Sequence, residues 1–188
     1  AGREIEGLTP IRLVNLLELV MSKIWRLITH HKYQRDALEW YRNERFIALN
    51  WGWTGDLRIH EPTGEPAIHS LIGPTDDHHA ARCLWDFFRV MEINDLVILR
   101  LGDECINDCV VRVGGYFWDK TYPPKLNHYP DCQEYEWQGY LYRKNWEYFH
   151  RREMAFVGQA AEAKQLWEST EMAPDYSVYM ALNQRIYK

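Results

Sequence analysis

Residues 46–58, FIALNWGWTGDLR, determine the fold that this sequence predicts. Phe46 to Leu49 form a short run of strand-forming apolar residues, and Gly52 and Gly55 break the pattern a few positions later. The two tryptophans of this stretch are therefore expected where a buried strand becomes a loop. Flat aromatic side chains in that position either close a core or form a platform for a flat ligand.

The composition limits the class of protein. The 188 residues suffice for one domain with a real core, and the 9 Trp and 12 Tyr exceed what that core needs, so we expect some at a surface or pocket. A formal net charge of -5 argues against coating nucleic acid through a general basic field but allows a local basic patch. Polar residues interrupt the longest apolar stretch, so we expect a cytoplasmic protein without a membrane partner.

The first half of the chain predicts helices, a strand and a long loop. Thr9-Pro10 begins a helical period that continues to about His30, and residues 33–43 predict a second, shorter helix. The strand at 46–50 follows. Residues 58–78 are rich in Pro, Gly, His and Asp, and they predict a long loop.

The second half predicts mostly strands. A helix at 79–90 leads through an Asn-Asp turn into a strand and its hairpin return, in which Gly114 and Gly115 indicate a bulge or a close approach. Strand segments at 134–144 and 145–159 and a closing helix at 160–169 complete the chain. The order of elements predicts an α+β fold with a small, curved, mostly antiparallel sheet or barrel.

Enzyme signatures are absent from the sequence. It contains no G-x-x-x-x-G-K-[ST] phosphate loop, no G-x-S-x-G and no H-E-x-x-H, and its four cysteines include no C-x-x-C pair. DDHH at residues 76–79 is the one cluster of metal-ligating residue types. A solvated loop in which Asp76 or Asp77 caps a helix is the simpler interpretation. We expect no catalytic residues, no metal and no cofactor.

Three segments together resemble a known family. FIALNWGWTGDL, LWDFFRVMEINDLVILRLGD and VVRVGGYFWD, with YEWQGYLY further on, are similar to the modified-base-sensing domain at the N-terminus of McrB-type restriction proteins. The form meant is the EVE type, a relative of YTH and PUA-like domains. The resemblance covers about residues 44–150 and depends on the order of its elements. Asn50, Asn94 and Cys109 stand where such domains often have glycine.

The resemblance implies a PUA-like fold of the EVE/YTH type, a small curved β-sheet or barrel flanked by helices. Residues 1–43 would be an N-terminal helical extension and residues 44–188 the nucleic-acid-binding domain, within one compact unit. One extruded base would lie in an aromatic pocket, where flat side chains replace its lost stacking and polar groups read its edge. The pocket candidates are Asn50, Trp51, Trp53, Asp56, Tyr116, Trp118 and Trp137. The candidates for contact with the phosphate backbone are Arg143, Lys144, Arg151 and Arg152.

The function implied is a DNA-binding module that senses modified, for example methylated, bases and targets a McrBC-type restriction system. It would not be an enzyme itself, because a fused GTPase motor domain and the nuclease subunit recruited by that motor would supply catalysis. An RNA reader of the same fold and a small metal-dependent enzyme using the DDHH loop are the alternatives. Trp53 and Trp137 are equally compatible with plain core positions, and Asp56 with a turn cap.

Overall fold

The protein has an α+β architecture built on one curled sheet. The computed structural model describes residues 23–30, 32–73, 79–101, 109–127, 135–137, 140–142, 146–168, 170–172 and 182–187. Within these residues, helices flank a small curled sheet. This confirms the α+β class and the curved sheet flanked by helices that the sequence predicts.

The described elements alternate between short strands and short helices. The strands are β1 Ile24–Ile28, β2 Phe46–Leu49, β3 Leu96–Arg100, β4 Cys109–Trp118, β5 Tyr135–Trp137, β6 Tyr140–Tyr142, β7 His150–Gly158, β8 Thr170–Met172 and β9 Leu182–Tyr187. The α-helices are α1 Gln34–Glu44, α2 Leu57–His60, α3 Glu65–Ile72, α4 Ala80–Trp85, α5 Pro124–Asn127 and α6 Ala160–Glu168. A 3-10 turn covers Gly52–Thr54, and a π-helix, Asp86–Val90, continues α4.

The described strands pair mainly in one mixed sheet. Its order is β2-β7-β4-β3-β1-β9-β8, while β5 and β6 pair separately. Strands β1 and β3 are parallel, and the other pairings are antiparallel. Five strands form a curled, mixed half-barrel. The register between β4 and β7 shifts between Val113 and Tyr116, which confirms the irregularity predicted at Gly114 and Gly115.

Residues 24–28 are a strand, so the helix predicted to run to His30 is wrong over this range. Strand β1 pairs with β3 on one side and with β9 on the other. It therefore lies inside the sheet and is buried on both faces, which gives a continuous apolar run instead of strict alternation. The earlier part of that predicted helix lies outside the described residues. Strand β1 belongs to the same sheet as the later strands, and helix α1 packs into the same hydrophobic core as the later elements.

Residues 58–78 are not one long loop, because two short helices lie there. Gly64 and Pro66 start α3, and Ile68 and Ile72 bury one face of it four residues apart. Prolines and glycines normally indicate turns, but here they mark the beginning and the end of helices. Residues 74–78 lie outside the described part of the chain. The helices predicted at 33–43 and 160–169 are confirmed as α1 and α6.

The sheet separates a large core from a small one. Trp25, Tyr41 and Phe87 are among the largest fully buried side chains, and they belong to the large core, to which α1, α3 and α4 contribute. The small core packs β1, β3 and β4 against α6 through Ala163. Among the described residues, no helix combines the length and apolarity that crossing a membrane requires.

Candidate nucleic-acid interface

The loop between β2 and α2, residues 50–56, has a tightly defined backbone. Trp51 has a φ of 69°, in the left-handed region, and Gly55 has a φ of 79°. A left-handed conformation costs a residue other than glycine about 1–2 kcal/mol, so surrounding contacts must hold Trp51 in it. We call this segment the tryptophan loop.

The tryptophan loop packs against residues 147–149, at the entry to β7. The Gly52 N–H donates to the Glu147 carbonyl (2.8 Å), and the Asn50 side-chain oxygen accepts from the Glu147 N–H (2.7 Å). A Cβ on Gly52 would lie 2.4 Å from the Phe149 ring and 2.7 Å from the Glu147 carbonyl oxygen. The close approach therefore requires glycine here.

Two of the predicted pocket residues hold the loop backbone. The Trp118 indole N–H donates to the Gly52 carbonyl (3.2 Å), and Lys120 lies over the Trp118 ring at 5.2 Å from its centroid. The Asn50 side-chain oxygen is occupied by the hydrogen bond from Glu147. The polar groups of Asn50 and Trp118 thus stabilise the tryptophan loop.

A buried histidine connects the tryptophan loop to the sheet. His150 Nε2 lies 2.9 Å from Thr54 Oγ1 and 3.1 Å from the Trp51 carbonyl oxygen, and His150 Nδ1 lies 2.7 Å from the Tyr116 hydroxyl. Burial lowers the pKa of His150 to about 4, so the ring is neutral at pH 7. Burial likewise raises the pKa of the Tyr116 hydroxyl, which stays protonated. Sequence reasoning identified Tyr116 but missed His150, because its partners are distant in sequence.

The two tryptophans of the loop have opposite environments. Trp51 is 5 % exposed and belongs to the large core, so it offers no free ring face of the kind that the base-pocket prediction requires. Trp53 is 45 % exposed, and its indole N–H donates to the Ile72 carbonyl at the end of α3 (3.1 Å). This hydrogen bond fixes the edge of the Trp53 ring while much of the side chain remains in solvent. Trp53 therefore has the properties of a preorganised stacking surface.

Asp56 is the N-cap of helix α2. Its carboxylate accepts from the Arg58 backbone N–H (3.0 Å) and from the Arg58 side chain through Nε and Nη2, the latter at 2.6 Å. This Arg58 side-chain hydrogen bond holds the pKa of Asp56 below its usual value. The turn-cap interpretation of Asp56 is confirmed. The Arg58 side chain remains about half exposed and is held in place by the pair.

Arg151 and Arg152 are buried, so the prediction that they contact phosphates is wrong. The Arg151 guanidinium packs on Trp40 and Phe46, at 4.9 and 4.5 Å from the ring centroids, and pairs with Asp119 at 3.1 Å. The Arg152 guanidinium donates to the carbonyl oxygens of Phe87, Phe88, Met91 and Gly114. Both arginines follow polar residues in the sequence. Such a local pattern is the same for a buried structural arginine and for a surface arginine. Arg143 and Lys144 lie outside the described residues, and the Trp137 side chain is not described.

Two exposed arginines lie near the ring pair of Tyr116 and Phe88. Arg58 influences the Tyr116 hydroxyl electrostatically. The Phe88 ring packs edge-on against Tyr116 with centroids 4.9 Å apart, and the Arg89 guanidinium lies 5.6 Å from the Phe88 centroid. Arg58 is the last residue of the stretch 46–58, and only its pairing with Asp56 and its effect on Tyr116 distinguish it from other arginines. These cations are better placed for a ligand than the buried pair.

The DDHH stretch, which would serve the alternative of a metal-dependent enzyme, lies mostly outside the described residues. Within the described residues, no group of three or more His, Cys, Asp or Glu side chains is arranged to hold a metal ion. Of the DDHH stretch, only His79 is described, at the start of α4, while residues 76–78 lie outside the described part.

Together, the fold and this loop define an α+β protein whose curled mixed sheet carries a fixed aromatic loop at the end of an edge strand. The chain belongs to the family described as Domain of unknown function (DUF8426), whose model matches residues 25–155. That match runs from β1 into β7 and includes the tryptophan loop, Tyr116 and His150. No match to a curated protein was found, nor any to a solved structure.

Proposed function

We propose that this protein is a DNA-binding module that senses modified bases, with a PUA-like fold of the EVE/YTH type. The observation that carries the proposal is the half-exposed Trp53 indole, held at its edge by the Ile72 carbonyl on a loop of fixed backbone. The module would target a McrBC-type restriction system, and a fused GTPase motor and a recruited nuclease subunit would perform catalysis.

The exposed tryptophan suits a base that has left its stack. An extruded base loses its stacking neighbours, and stacking on an aromatic side chain of the protein can replace them. Such stacking contributes about 1–3 kcal/mol of binding free energy per base. Ile59, on α2, is another large apolar side chain exposed in the same short segment. A methyl group on the base adds apolar area to such a contact. This surface therefore favours a flat, partly apolar ligand.

The charges around the loop suit a phosphate backbone. Arg58 is held by Asp56 and is half exposed, and Arg89 is exposed next to the Phe88–Tyr116 ring pair. Local cations of this kind can contact phosphates even though the whole chain carries a charge of -5. The affinity for DNA should therefore fall steeply with salt.

The experiment is a binding panel on the purified chain. Fluorescent duplexes carrying 5-methylcytosine, N6-methyladenine or no modification, and the matching RNA strands, are titrated at several salt concentrations. The proposal expects tighter binding to a modified duplex than to the unmodified one. Stronger binding to RNA would instead support an RNA reader of the same fold, and no binding to any of these strands would contradict both.

Arginine variants test where the phosphate backbone of the DNA contacts the protein. We expect Arg58→Gln combined with Arg89→Gln to weaken binding to the modified duplex and to reduce its salt dependence, because two phosphate contacts are lost. Arg35→Gln, on the exposed face of α1, is the matched control and should change neither quantity. Equal behaviour of the double variant and the control would remove Arg58 and Arg89 from the interface.

A further inference from the structure

The hydrogen bonds around His150 have one self-consistent direction. The Trp51 carbonyl can only accept, so His150 Nε2, at 3.1 Å from it, carries the proton. His150 Nδ1 is then an acceptor, and the Tyr116 hydroxyl, at 2.7 Å, donates to it. The Thr54 hydroxyl donates to the Trp51 carbonyl (2.9 Å), which leaves its lone pairs facing His150 Nε2.

This chain of hydrogen bonds connects both ends of the tryptophan loop to the sheet. Trp51 and Thr54 lie at the start and middle of the loop, and the Leu57 backbone N–H, just after it, interacts with the Tyr116 hydroxyl. His150 begins β7, and Tyr116 lies in β4 next to the register shift. His150 and Tyr116, one from each strand, therefore contact three points of the seven-residue segment 51–57, which contains Trp53.

We infer that His150 and Tyr116 are positioning residues for Trp53: through Trp51, Thr54 and Leu57 they hold the tryptophan loop in the conformation that exposes the indole. Trp51 is held in a left-handed backbone conformation that is unfavourable for tryptophan, so the loop needs external hydrogen bonds to keep this shape. The inference rests on the proposed function for its consequence in binding. Its structural part concerns the free protein and can be tested without any ligand.

We call the hydrogen-bonded chain of Trp51, Thr54, His150 and Tyr116 the relay. The charged and titratable groups that face His150 are consistent with neutral hydrogen bonds along it. Tyr116 stacks on the imidazole with centroids 6.0 Å apart, and Asp56 is the charged group that acts on His150 from the loop side. Arg58 and Arg152 act on Tyr116. Asp56 is already paired with Arg58, so its charge does not compete for the ring protons. The relay therefore consists of neutral hydrogen bonds, which fix the conformation of the tryptophan loop without attracting counter-ions.

The test is amide hydrogen exchange on the full chain without ligand, for the wild type, Tyr116→Phe and His150→Gln. Tyr116→Phe removes only the hydroxyl and keeps the ring packing against Phe88. We expect amides in residues 52–57 to exchange at least tenfold faster, while those in β3 stay unchanged after correction for global stability. His150→Gln keeps a donor for the Trp51 carbonyl but loses the ring, and it should show a comparable acceleration.

Tyr41→Phe is the matched control, because the Tyr41 hydroxyl is also buried and donates to the carbonyls of Thr29 and Ala48 outside the loop. It should lower global stability without selectively releasing residues 52–57. Equal loop exchange in Tyr116→Phe and Tyr41→Phe would overturn the inference.

A second measurement links the relay to binding. If the proposed function holds, Tyr116→Phe should weaken binding to a 5-methylcytosine duplex about tenfold, and Tyr41→Phe should not. Unchanged affinity in Tyr116→Phe despite a released loop would overturn the positioning role. If the wild type binds no duplex, the proposed function fails, and the exchange experiment still decides whether the relay holds the loop.

Discussion

At the scale of single residues, Trp51 and Trp53 show how one backbone angle separates a core residue from a surface residue. On a continuing strand, two residues two positions apart share a face. The left-handed conformation of Trp51 and the 3-10 turn after it end the strand, so Trp51 enters the core and Trp53 reaches solvent. The two indoles therefore form no common cage, and Trp53 carries the proposed contact.

Alanine substitutions should separate these roles by stability. We expect Trp51→Ala to lower the free energy of unfolding by about 3–5 kcal/mol, because it removes a buried indole from the large core. Trp53→Ala should cost roughly 1 kcal/mol, mainly through the lost hydrogen bond to Ile72. Urea unfolding followed by circular dichroism measures both. Equal losses would show that Trp53 is also a core residue.

His150 should make stability depend on pH in a defined window. Its folded pKa of about 4 lies below the ordinary value of 6.5, so between these values the unfolded chain binds more protons than the folded chain. Its contribution is complete above pH 6.5 and is lost as pH falls toward 4, by a total of about 3 kcal/mol. The difference between the wild type and His150→Gln, measured by urea unfolding from pH 7.5 to 4, isolates this contribution. Parallel curves would contradict the assignment.

The sequence predicted residue types at this site better than residue roles. The sequence indicates Asn50, Tyr116 and Trp118 as base-pocket residues, but their polar groups bind partners that only the fold brings close. Asn50, for example, is paired with the backbone of residue 147, which lies 97 positions later. No local pattern indicates such a contact, and the same holds for His150.

At the scale of elements, the junction between the tryptophan loop and the entry to β7 depends on Gly52. Gly52→Ala should destabilise the protein by about 1–3 kcal/mol, because its Cβ would overlap the Phe149 ring and the Glu147 carbonyl. Gly115→Ala is the matched control, since a Cβ there meets nothing within 4 Å. Thermal unfolding of both variants checks this. A stable Gly52→Ala variant would show that the loop can move away from β7.

At the level of elements, helix α1 was predicted correctly, whereas strand β1 and helix α3 were not. Helix α1 buries Ala37, Leu38 and Tyr41 on one side, which is the periodicity that predicted it. Strand β1 is buried on both faces, and its parallel partner β3 lies 72 positions later, so its apolar run matched a helix. Helix α3 was missed because its flanking glycines and proline suggested a loop.

At the scale of the whole molecule, the buried arginines join separate layers of the fold. Arg152 lies on β7 and binds carbonyls of the π-helix, its C-terminal end and the β4 bulge. Burial lowers its pKa to about 10, which still leaves it charged at pH 7. Arg151 and Arg152, which the sequence suggested for a ligand, therefore stabilise the protein itself.

Removing that guanidinium should weaken the whole fold. We expect Arg152→Met to lower the free energy of unfolding by at least about 3 kcal/mol, because several buried carbonyls lose their donor at once. Arg112→Met, on the partly exposed part of β4, is the comparison and should cost much less. Urea unfolding of both variants tests this. Similar losses for the two would contradict the structural role of Arg152.

The central claim is that Trp53 stacks on a base, and affinity measured on Trp53→Ala tests it most directly. A fluorescent duplex containing 5-methylcytosine is titrated with the wild type, with Trp53→Ala and with Tyr122→Ala, whose ring is similarly exposed outside the tryptophan loop. The account predicts that Trp53→Ala folds normally and binds at least tenfold more weakly, a loss of at least about 1.4 kcal/mol, while Tyr122→Ala binds like the wild type. Wild-type affinity in a folded Trp53→Ala variant would contradict the claim.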